Sequence, residues 1–258
     1  MATANSKPRS VNFWKSIVVI LAIAAGTVFA DQAHREIYTA RAATEFQRAQ
    51  ARFQADPTNP TNAWQFAQAT FDFAEFATTD SERAALANQG IMACRQTIAR
   101  VPKSVAAHYY LAMNLGQLAR TEFLGALKLV REMEREFKTA SELDARFDYA
   151  GPERNLGLLY RDAPGWPASI GNRRTARFFL EQAVKLVPNY PENRLNLIES
   201  YLQWDEPAAA KRELQALEVI WPVALSNFTS VRWESSWSDW STRRQAARQK
   251  INAISPKK

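Results

Sequence analysis

The sequence predicts an all-α fold, a solenoid of about four degenerate helical hairpins with capping helices at its ends. Two copies of one helical unit can be overlaid between residues 151 and 222, and their closing prolines, Pro188 and Pro222, lie 34 residues apart. The composition, 47% hydrophobic and 23% charged, is that of a folded chain rather than a disordered one. A fixed helical period in such a chain favours stacked hairpins.

Each unit in this region has the pattern of a packed helix pair. In the first helix, Gly157 permits close approach of a neighbouring helix, and Tyr160 fills the space one turn further along. The second helix carries an apolar stripe and stops at Pro188, which has no backbone N–H to continue it. The stripe consists of Ala176, Leu180 and Ala183. We expect this stripe to be buried between helices.

Residues 1–30 have the features of an export signal. Lys7, Arg9 and Lys15 precede the apolar run at 16–30, which is shorter than the about 20 residues of a membrane span. We therefore predict a signal peptide, with an uncleaved N-terminal membrane anchor as the alternative. Both place the rest of the chain in the periplasm or on the outer face of the inner membrane.

The first half of the chain predicts one capping helix and two hairpins. Residues 31–55 form the capping helix, and a proline-containing turn at 56–60 separates it from the next unit. Thr79 and Glu82 have the spacing of a capping box at the start of that unit's second helix. A further unit begins after the Ser104 cap, and its second helix is long.

The second half adds an insertion and a tryptophan-rich tail. Residues 162–171 contain two prolines and two glycines, so we expect a fixed loop, pinned to the array by Trp166 and Ile170. The tail has tryptophans at helical spacing that would close the last apolar face, followed by basic residues expected at a solvated helix end. These are Trp233, Trp237 and Trp240, then Arg243, Arg244, Arg248 and Lys250. The predicted domains are 1–30, the signal or anchor; 31–222, the repeats; and 223–258, the capping segment.

Charge and cysteine content exclude several classes of function. The net charge is +7, and the three positive residues within 1–30 leave only +4 for the remainder, which argues against a nucleic-acid-binding surface. Cys94 is the single cysteine, so an intramolecular disulfide and a two-cysteine metal or redox centre are excluded. We expect Cys94 to be a small buried residue of a helix.

Two blocks of sequence resemble a known family. Residues 109–120 read Tyr-Tyr-Leu-Ala-Met-Asn-Leu-Gly-Gln-Leu-Ala-Arg, and residues 151–157 read Gly-Pro-Glu-Arg-Asn-Leu-Gly. On these blocks and the Ala-Pro-Gly-Trp-Pro insertion, the chain resembles tetratricopeptide-type proteins of the bacterial cell envelope. More narrowly, it is similar to the T component of tripartite ATP-independent periplasmic transporters, over about residues 104–222. That resemblance implies an all-helical periplasmic scaffold that engages a solute-binding protein and can self-assemble, although the chain lacks the family's lipobox cysteine.

The partner-binding surface is expected on the concave side of the array. In tetratricopeptide arrays the first helix of each unit lines that side, where peptides usually bind. Arg154 and Arg161, seven residues apart on one helix face, would hold a carboxylate. Asn114 and Gln117 on the preceding first helix would complete a polar pocket. The predicted partner- or ligand-binding residues are Tyr109, Met113, Asn114, Gln117, Arg154, Leu158, Arg161, Leu195 and Glu199.

Intramolecular pairing is the alternative for the arginines of this region. Arg154 and Arg161 have Glu153, Asp162 and acids of neighbouring helices within reach, and charged helix faces are usually just solvated. A second cluster follows the insertion at a helix N-terminus, where it would either receive an anion or brace the loop. This cluster consists of Arg173, Arg174 and Arg177.

The residue types give no support for catalysis. His34 and His108 are the only histidines, and they lie in different units with no partner at metal-ligand spacing. The sequence contains no glycine-rich phosphate loop and no G-x-S-x-G motif. We expect His108 to be a packed residue of its helix. We also expect that the protein is not an enzyme and binds no metal or cofactor.

These observations favour a non-catalytic exported scaffold that binds a protein or a small ligand. A periplasmic solute-binding protein is the partner that the resemblance implies. The alternative is a membrane-anchored assembly factor whose repeats organise a cell-envelope complex, with the membrane contacted only through the N-terminal segment. Formation of a homo-oligomer is compatible with both.

Overall fold

The computed structural model describes the backbone of residues 28–122 and 125–254, and the side chains from Arg35 onward. The predicted signal or anchor segment, 1–30, lies outside the described residues except for its last three positions, which begin a helix. Within the described ranges, no helix is both long enough and apolar enough to cross a membrane.

Ten α-helices and one short 3₁₀-helix make up the described part of the chain, which contains no β-strand. The α-helices are α1 Val28–Ala55, α2 Pro60–Ala74, α3 Asp80–Arg100, α4 Val105–Ala119, α5 Ala126–Asp144, α6 Phe147–Asp162, α7 Arg173–Leu186, α8 Pro191–Gln203, α9 Pro207–Asn227 and α10 Glu234–Ile254. The 3₁₀-helix, Val231–Trp233, lies between α9 and α10.

The helices stack as a two-layered array of hairpins. Each helix contacts the next in the chain, and α2, α4, α6, α8 and α10 also contact one another in that order. The hairpins are therefore α2/α3, α4/α5, α6/α7 and α8/α9, and their first helices form one layer, called here the inner layer. Helix α1 caps one end, and α10 takes the next inner position at the other. The predicted all-α solenoid of four hairpins with capping helices is confirmed.

Side chains begin the helices where the sequence indicates. The Thr79 hydroxyl accepts a hydrogen bond from the Glu82 backbone N–H at 3.1 Å. The Glu82 carboxylate accepts from the Thr78 N–H at 2.8 Å, so the predicted capping box is present but reaches one residue further back. Ser104 caps α4 by accepting from the Ala107 N–H. These bonds satisfy N–H groups that have no partner within the helix.

The α6/α7 hairpin is packed as its sequence pattern predicts. Ala176, Leu180 and Ala183 are completely buried. A Cβ atom at Gly157 would lie 2.5 Å from the Leu180 Cγ atom, so only glycine permits this approach of the two helices. This contact explains why the first helix of this hairpin carries glycine at position 157.

Pro222 does not end its helix. Helix α9 continues through Pro222 to Asn227. Proline removes one hydrogen bond from a helix interior, but Pro222 lies on an exposed side of α9, where water can reach the released carbonyl. The chain therefore leaves α9 five residues beyond the predicted boundary.

The insertion is an ordered loop, but Trp166 does not pin it. The Trp166 side chain is 89% exposed, whereas Ile170 is half-buried against the core. Backbone hydrogen bonds hold the loop instead: the Gly171 N–H donates to the Pro164 carbonyl at 2.8 Å, and the Asn172 N–H donates to Tyr160 at 2.9 Å. Because these backbone bonds hold the loop, Trp166 is not needed to anchor it.

A buried polar pair joins α4 to α5. His108 Nδ1 lies 2.7 Å from Glu136 Oε2, and Nε2 lies 2.9 Å from the Pro102 carbonyl oxygen. Both partners accept hydrogen bonds, so only the doubly protonated imidazolium satisfies them together. The hydrogen bond with Glu136 raises the pKa of His108 above its usual value, against the opposing effect of burial. His108 is thus a packed residue, as predicted, and its hydrogen bonds favour its protonated form.

Leu180→Ala should lower the free energy of unfolding by roughly 2–5 kcal/mol, because it removes a completely buried side chain from a tight helix contact. Urea unfolding followed by circular dichroism measures this loss. Phe178→Ala on the same helix is the matched control, since Phe178 is 55% exposed and should cost about 1 kcal/mol or less. Equal losses in the two variants would contradict the assigned packing.

Stability should fall as the pH rises from 6 to 9 more steeply in the wild type than in His108→Gln. A raised folded-state pKa gives stability that is complete below the unfolded pKa of about 6.5 and is lost as pH rises through the folded value. Urea titrations at each pH measure the two slopes. Parallel slopes would show that His108 is neutral in the folded protein.

Candidate partner-binding groove

Aromatic rings cover the middle of the inner layer. Trp64 of α2 stacks on Tyr110 of α4 with ring centroids 5.9 Å apart. Phe147, at the start of α6, meets Tyr110 at 6.3 Å and Tyr109 at 5.3 Å. Both tyrosines are buried, so α4 contributes a closed aromatic surface rather than an open row of polar side chains.

Helix α6 opens with three consecutive residues in the left-handed region. The φ angles of Asp148, Tyr149 and Ala150 are 47°, 57° and 63°. Each such residue costs roughly 1–2 kcal/mol, because its Cβ crowds the following carbonyl oxygen. This left-handed turn directs the chain from α5 into the inner layer at the centre of the array.

Side chains from three inner helices hold the left-handed turn. The Arg154 guanidinium donates to the Tyr149 carbonyl at 3.2 Å and to the Asp148 carboxylate at 3.3 Å. The Asn193 amide donates to the same Tyr149 carbonyl at 3.0 Å, and the Tyr109 hydroxyl donates to Asp148 at 2.7 Å. Because α4, α6 and α8 all contribute, the turn is fixed by the stacking of the hairpins.

Asp72 faces this turn from α2 without a direct partner. Its side chain is open to solvent, and it makes no hydrogen bond or ion pair with any described residue. The surrounding walls still remove enough water to raise its pKa, and the charges of Asp148 and Glu75 add to that effect, giving a value of about 7. Arg232 opposes the shift. The surface formed by Asp72, Tyr110, Asp148, Tyr149 and Tyr190 is called here the inner groove.

The segment between α9 and α10 crosses the inner groove. The Trp233 ring lies 5.6 Å from Tyr149 and 6.1 Å from Tyr190. One residue later, Glu234 forms an ion pair with Arg41 of α1 at 2.5 Å. Residues 229–234, called here the strap, therefore bring the last helix of the array into contact with the first.

The structure gives most of the predicted binding residues partners within the chain. Tyr109, Asn114, Gln117, Arg154 and Leu195 are buried, and Met113, Leu158, Arg161 and Glu199 are half-buried. The Asn114 amide donates to the carbonyls of Ala67 and Tyr110 at 2.8 Å. Gln117 donates to the Glu75 carboxylate. These contacts hold neighbouring inner helices together, and a role of the nine residues toward a partner stays a prediction.

The arginines of the α6/α7 hairpin follow the pairing alternative. Arg161 forms an ion pair with Asp162 at 2.7 Å and donates to the Ser200 hydroxyl at 3.0 Å. In the second cluster, Arg173 and Arg177 both pair with Glu206, which follows α8. These arginines join the α6/α7 hairpin to the next one.

The prediction of a solvated helix end is wrong for Arg243, whereas Arg248 and Lys250 are exposed as predicted. Arg243 is largely buried and forms ion pairs with Glu192 and Glu199 of α8 at 2.7 Å each. Arg244 and Arg248 pair with Glu218 of α9. The cause is the docking of α10 onto α8 and α9, which sets these arginines opposite acids. The tryptophans do close the end as predicted: Trp240 is 1% exposed, and Trp233 and Trp237 are half-buried.

Sequence patterns gave no signal for Asp72, Asp148 or Arg232. They lie far apart in the chain, and none belongs to a motif.

Cys94 is buried and free, as predicted. Within residues 28–122 and 125–254, no group of three His, Cys, Asp or Glu side chains is arranged to share a metal ion.

Comparison with known proteins supports the repeat fold. Residues 29–147 match the family model described as Regulator of microtubule dynamics protein 1-3. That match covers less than half of the chain and ends before the left-handed turn. No curated protein gives a significant match.

Two solved structures share the architecture. One is TTC0263, a thermophilic TPR protein of Thermus thermophilus, with a TM-score of 0.59, 18% identity, and coverage of 81% of this chain and 92% of that one. The other is MamA, with a TM-score of 0.50, 14% identity, and coverage of 70% and 89%. The chain therefore has the predicted tetratricopeptide-like helical fold; at these identities the likeness concerns the fold alone.

Arg154→Leu should lower the free energy of unfolding by about 3–5 kcal/mol, because it leaves the Asp148 carboxylate and the carbonyls of the left-handed turn without their donor. Urea unfolding measures the loss, and the near-ultraviolet circular dichroism of the stacked Tyr149 and Tyr190 should weaken. Arg174→Leu, at an exposed position, should change neither quantity appreciably. A stable Arg154→Leu variant with an unchanged aromatic spectrum would contradict this account.

Proposed function

We propose that the chain is a non-catalytic helical-repeat scaffold that binds a protein partner in the inner groove. The observation that carries the proposal is the left-handed turn, which presents Asp148 and Tyr149 to the groove at an energetic cost. Strained non-glycine backbone persists where the surrounding structure enforces it, and it concentrates at binding and active sites. A curved array of helical hairpins offers an extended surface suited to a protein segment.

The charges of the groove favour a cationic group on the partner. Desolvation, together with repulsion from Asp148, keeps Asp72 partly protonated near neutral pH. A lysine or arginine placed between the two carboxylates would relieve the repulsion and restore the ionised form of Asp72. The half-buried ring of Tyr149, packed among the buried rings of the groove, supplies apolar surface for the rest of the segment.

We also propose export to the periplasm or the outer face of the inner membrane, on the basis of the basic residues and apolar run of residues 1–30. The transporter T component is the narrower form of this proposal, with a solute-binding protein as partner, and the two sequence blocks at 109–120 and 151–157 support it. Those blocks form buried parts of α4 and α6, so they are evidence for the repeat fold before they are evidence for a role in transport. The membrane-anchored assembly factor remains the alternative, and the mass of the mature chain distinguishes cleavage from anchoring.

A photocrosslinking residue at Gln68 should trap the partner, because Gln68 lies one turn before Asp72 on the same face of α2. Irradiation of cells that express this variant, followed by mass spectrometry, identifies the adduct. The same residue at Lys185, exposed on α7 outside the inner layer, is the matched control and should give no adduct with that protein.

Asp72→Arg in the Gln68 background should abolish the adduct, since it reverses the charge offered to the partner. An adduct that forms equally from Lys185, or that survives Asp72→Arg, would overturn the inner groove as the binding surface.

A further inference from the structure

We infer that the strap is an internal ligand of the inner groove, and that the partner's binding segment has the same chemistry, a cationic residue directly followed by an aromatic one. This inference rests on the proposed function and names the class of peptide that the groove takes. In the chain itself, these two positions are Arg232 and Trp233.

The aromatic part of the fit is visible in the ring contacts. Tyr149 stacks on Tyr190 with centroids 4.6 Å apart, and the Trp233 ring meets both edge-on. Edge-to-face pairs at these distances are favourable beyond the area they bury. Phe228, just before the strap, is buried beside the same rings and fixes where the segment enters. The left-handed turn thus forms half of the surface that receives Trp233.

The charged part of the fit is set by Arg232. Its guanidinium lies over the Trp233 ring, 4.9 Å from the centroid, and its charge acts on Asp72 and Tyr110 of the groove. It forms no ion pair shorter than 4 Å with a described acid, so its charge acts on Asp72 from beyond ion-pair distance. The Glu234–Arg41 pair then ties the end of the strap to α1.

The strap is held in a way that permits exchange. Within the described residues, no backbone hydrogen bond joins it to the inner layer. Its own backbone bonds are local ones, from the Trp233 N–H to Ser230 and from the Glu234 N–H to Val231. Val231 is 60% exposed, and Thr229, Ser230 and Arg232 are exposed as well. One ring and one surface ion pair therefore hold the strap, whereas Phe228 and Trp240 on either side stay in the core.

A covalently linked ligand competes strongly with a free one. A short linker gives an effective concentration in the millimolar range. A free peptide with the same contacts therefore meets a groove that is mostly occupied, and its apparent affinity falls in proportion to the vacant fraction. A partner must supply additional contacts along the inner layer to displace the strap.

The test is binding of a fluorescein-labelled peptide with the sequence of residues 227–236 to the full chain, measured by fluorescence polarisation. Arg232→Glu in the chain repels the strap from Asp72 and Asp148, so it should tighten peptide binding by about tenfold or more relative to the wild type. Val231→Thr is the matched control within the strap and should leave the affinity unchanged. Because Arg232 is exposed, circular dichroism should show an intact fold.

Two further arms locate the site and its chemistry. Adding Asp72→Asn to the Arg232→Glu chain should reverse the gain, and a peptide with glutamate in place of its arginine should not bind. Equal affinity of the wild type and Arg232→Glu, no binding by either, or equal binding of the glutamate peptide would each overturn the inference. Crosslinking from Gln68 would in those cases still report whether the groove binds a protein, so the two proposals fail separately.

Discussion

The guanidinium of Arg154 is the interaction on which the centre of the molecule depends. It donates to the backbone and the carboxylate of the left-handed turn, packs over Tyr190 with its carbon 5.4 Å from the ring centroid, and donates to Asn193 of α8 at 3.1 Å. Burying a charge is costly unless it is paired and hydrogen-bonded, and here most of the acceptors belong to the strained backbone. The turn and the arginine therefore require each other.

The α10 end of the array is closed by a second set of buried charges. Arg243 of α10 meets Glu192 and Glu199 of α8, and the positive charges of Arg243 and Arg154 lower the pKa of Glu192 to about 2 despite its burial. An open solenoid end would expose its apolar face, and α10 covers it with Trp240 and this ion-pair network. The position of α10 also fixes where the strap must run, since the strap connects α9 to α10 across the inner groove.

The sequence could predict the parts of this structure that repeat. Leu180, Ala176 and Ser104 lie where helical period and capping rules place them, because those rules are local and recur in each hairpin. Contacts made once, between distant segments, leave no periodic trace. The tryptophan spacing indicates that α10 closes the array, but nothing local indicates that Arg243 lies opposite acids of α8, so it was expected in solvent. The left-handed turn was equally invisible, since no glycine marks Asp148, Tyr149 or Ala150, and distant side chains impose their conformation.

The same distinction explains why the inner groove differs from the predicted concave face. Counting offsets along the first helices selects residues that face neighbouring inner helices as well as residues that face the groove, and Asn114 and Gln117 belong to the first kind. Asp72 was not selected by this counting, yet it faces the groove, where loss of surrounding water and the charge of Asp148 raise its pKa. Asp148 reaches the groove because the backbone turns left-handed. The strained left-handed turn and the Asp72 carboxylate, which is unpaired among the described residues, thus meet in the inner groove, and the strap runs over them. The left-handed backbone and the repulsion between Asp72 and Asp148 are both costs that a purely structural array would avoid. They coincide at a place where a bound ligand could offset both.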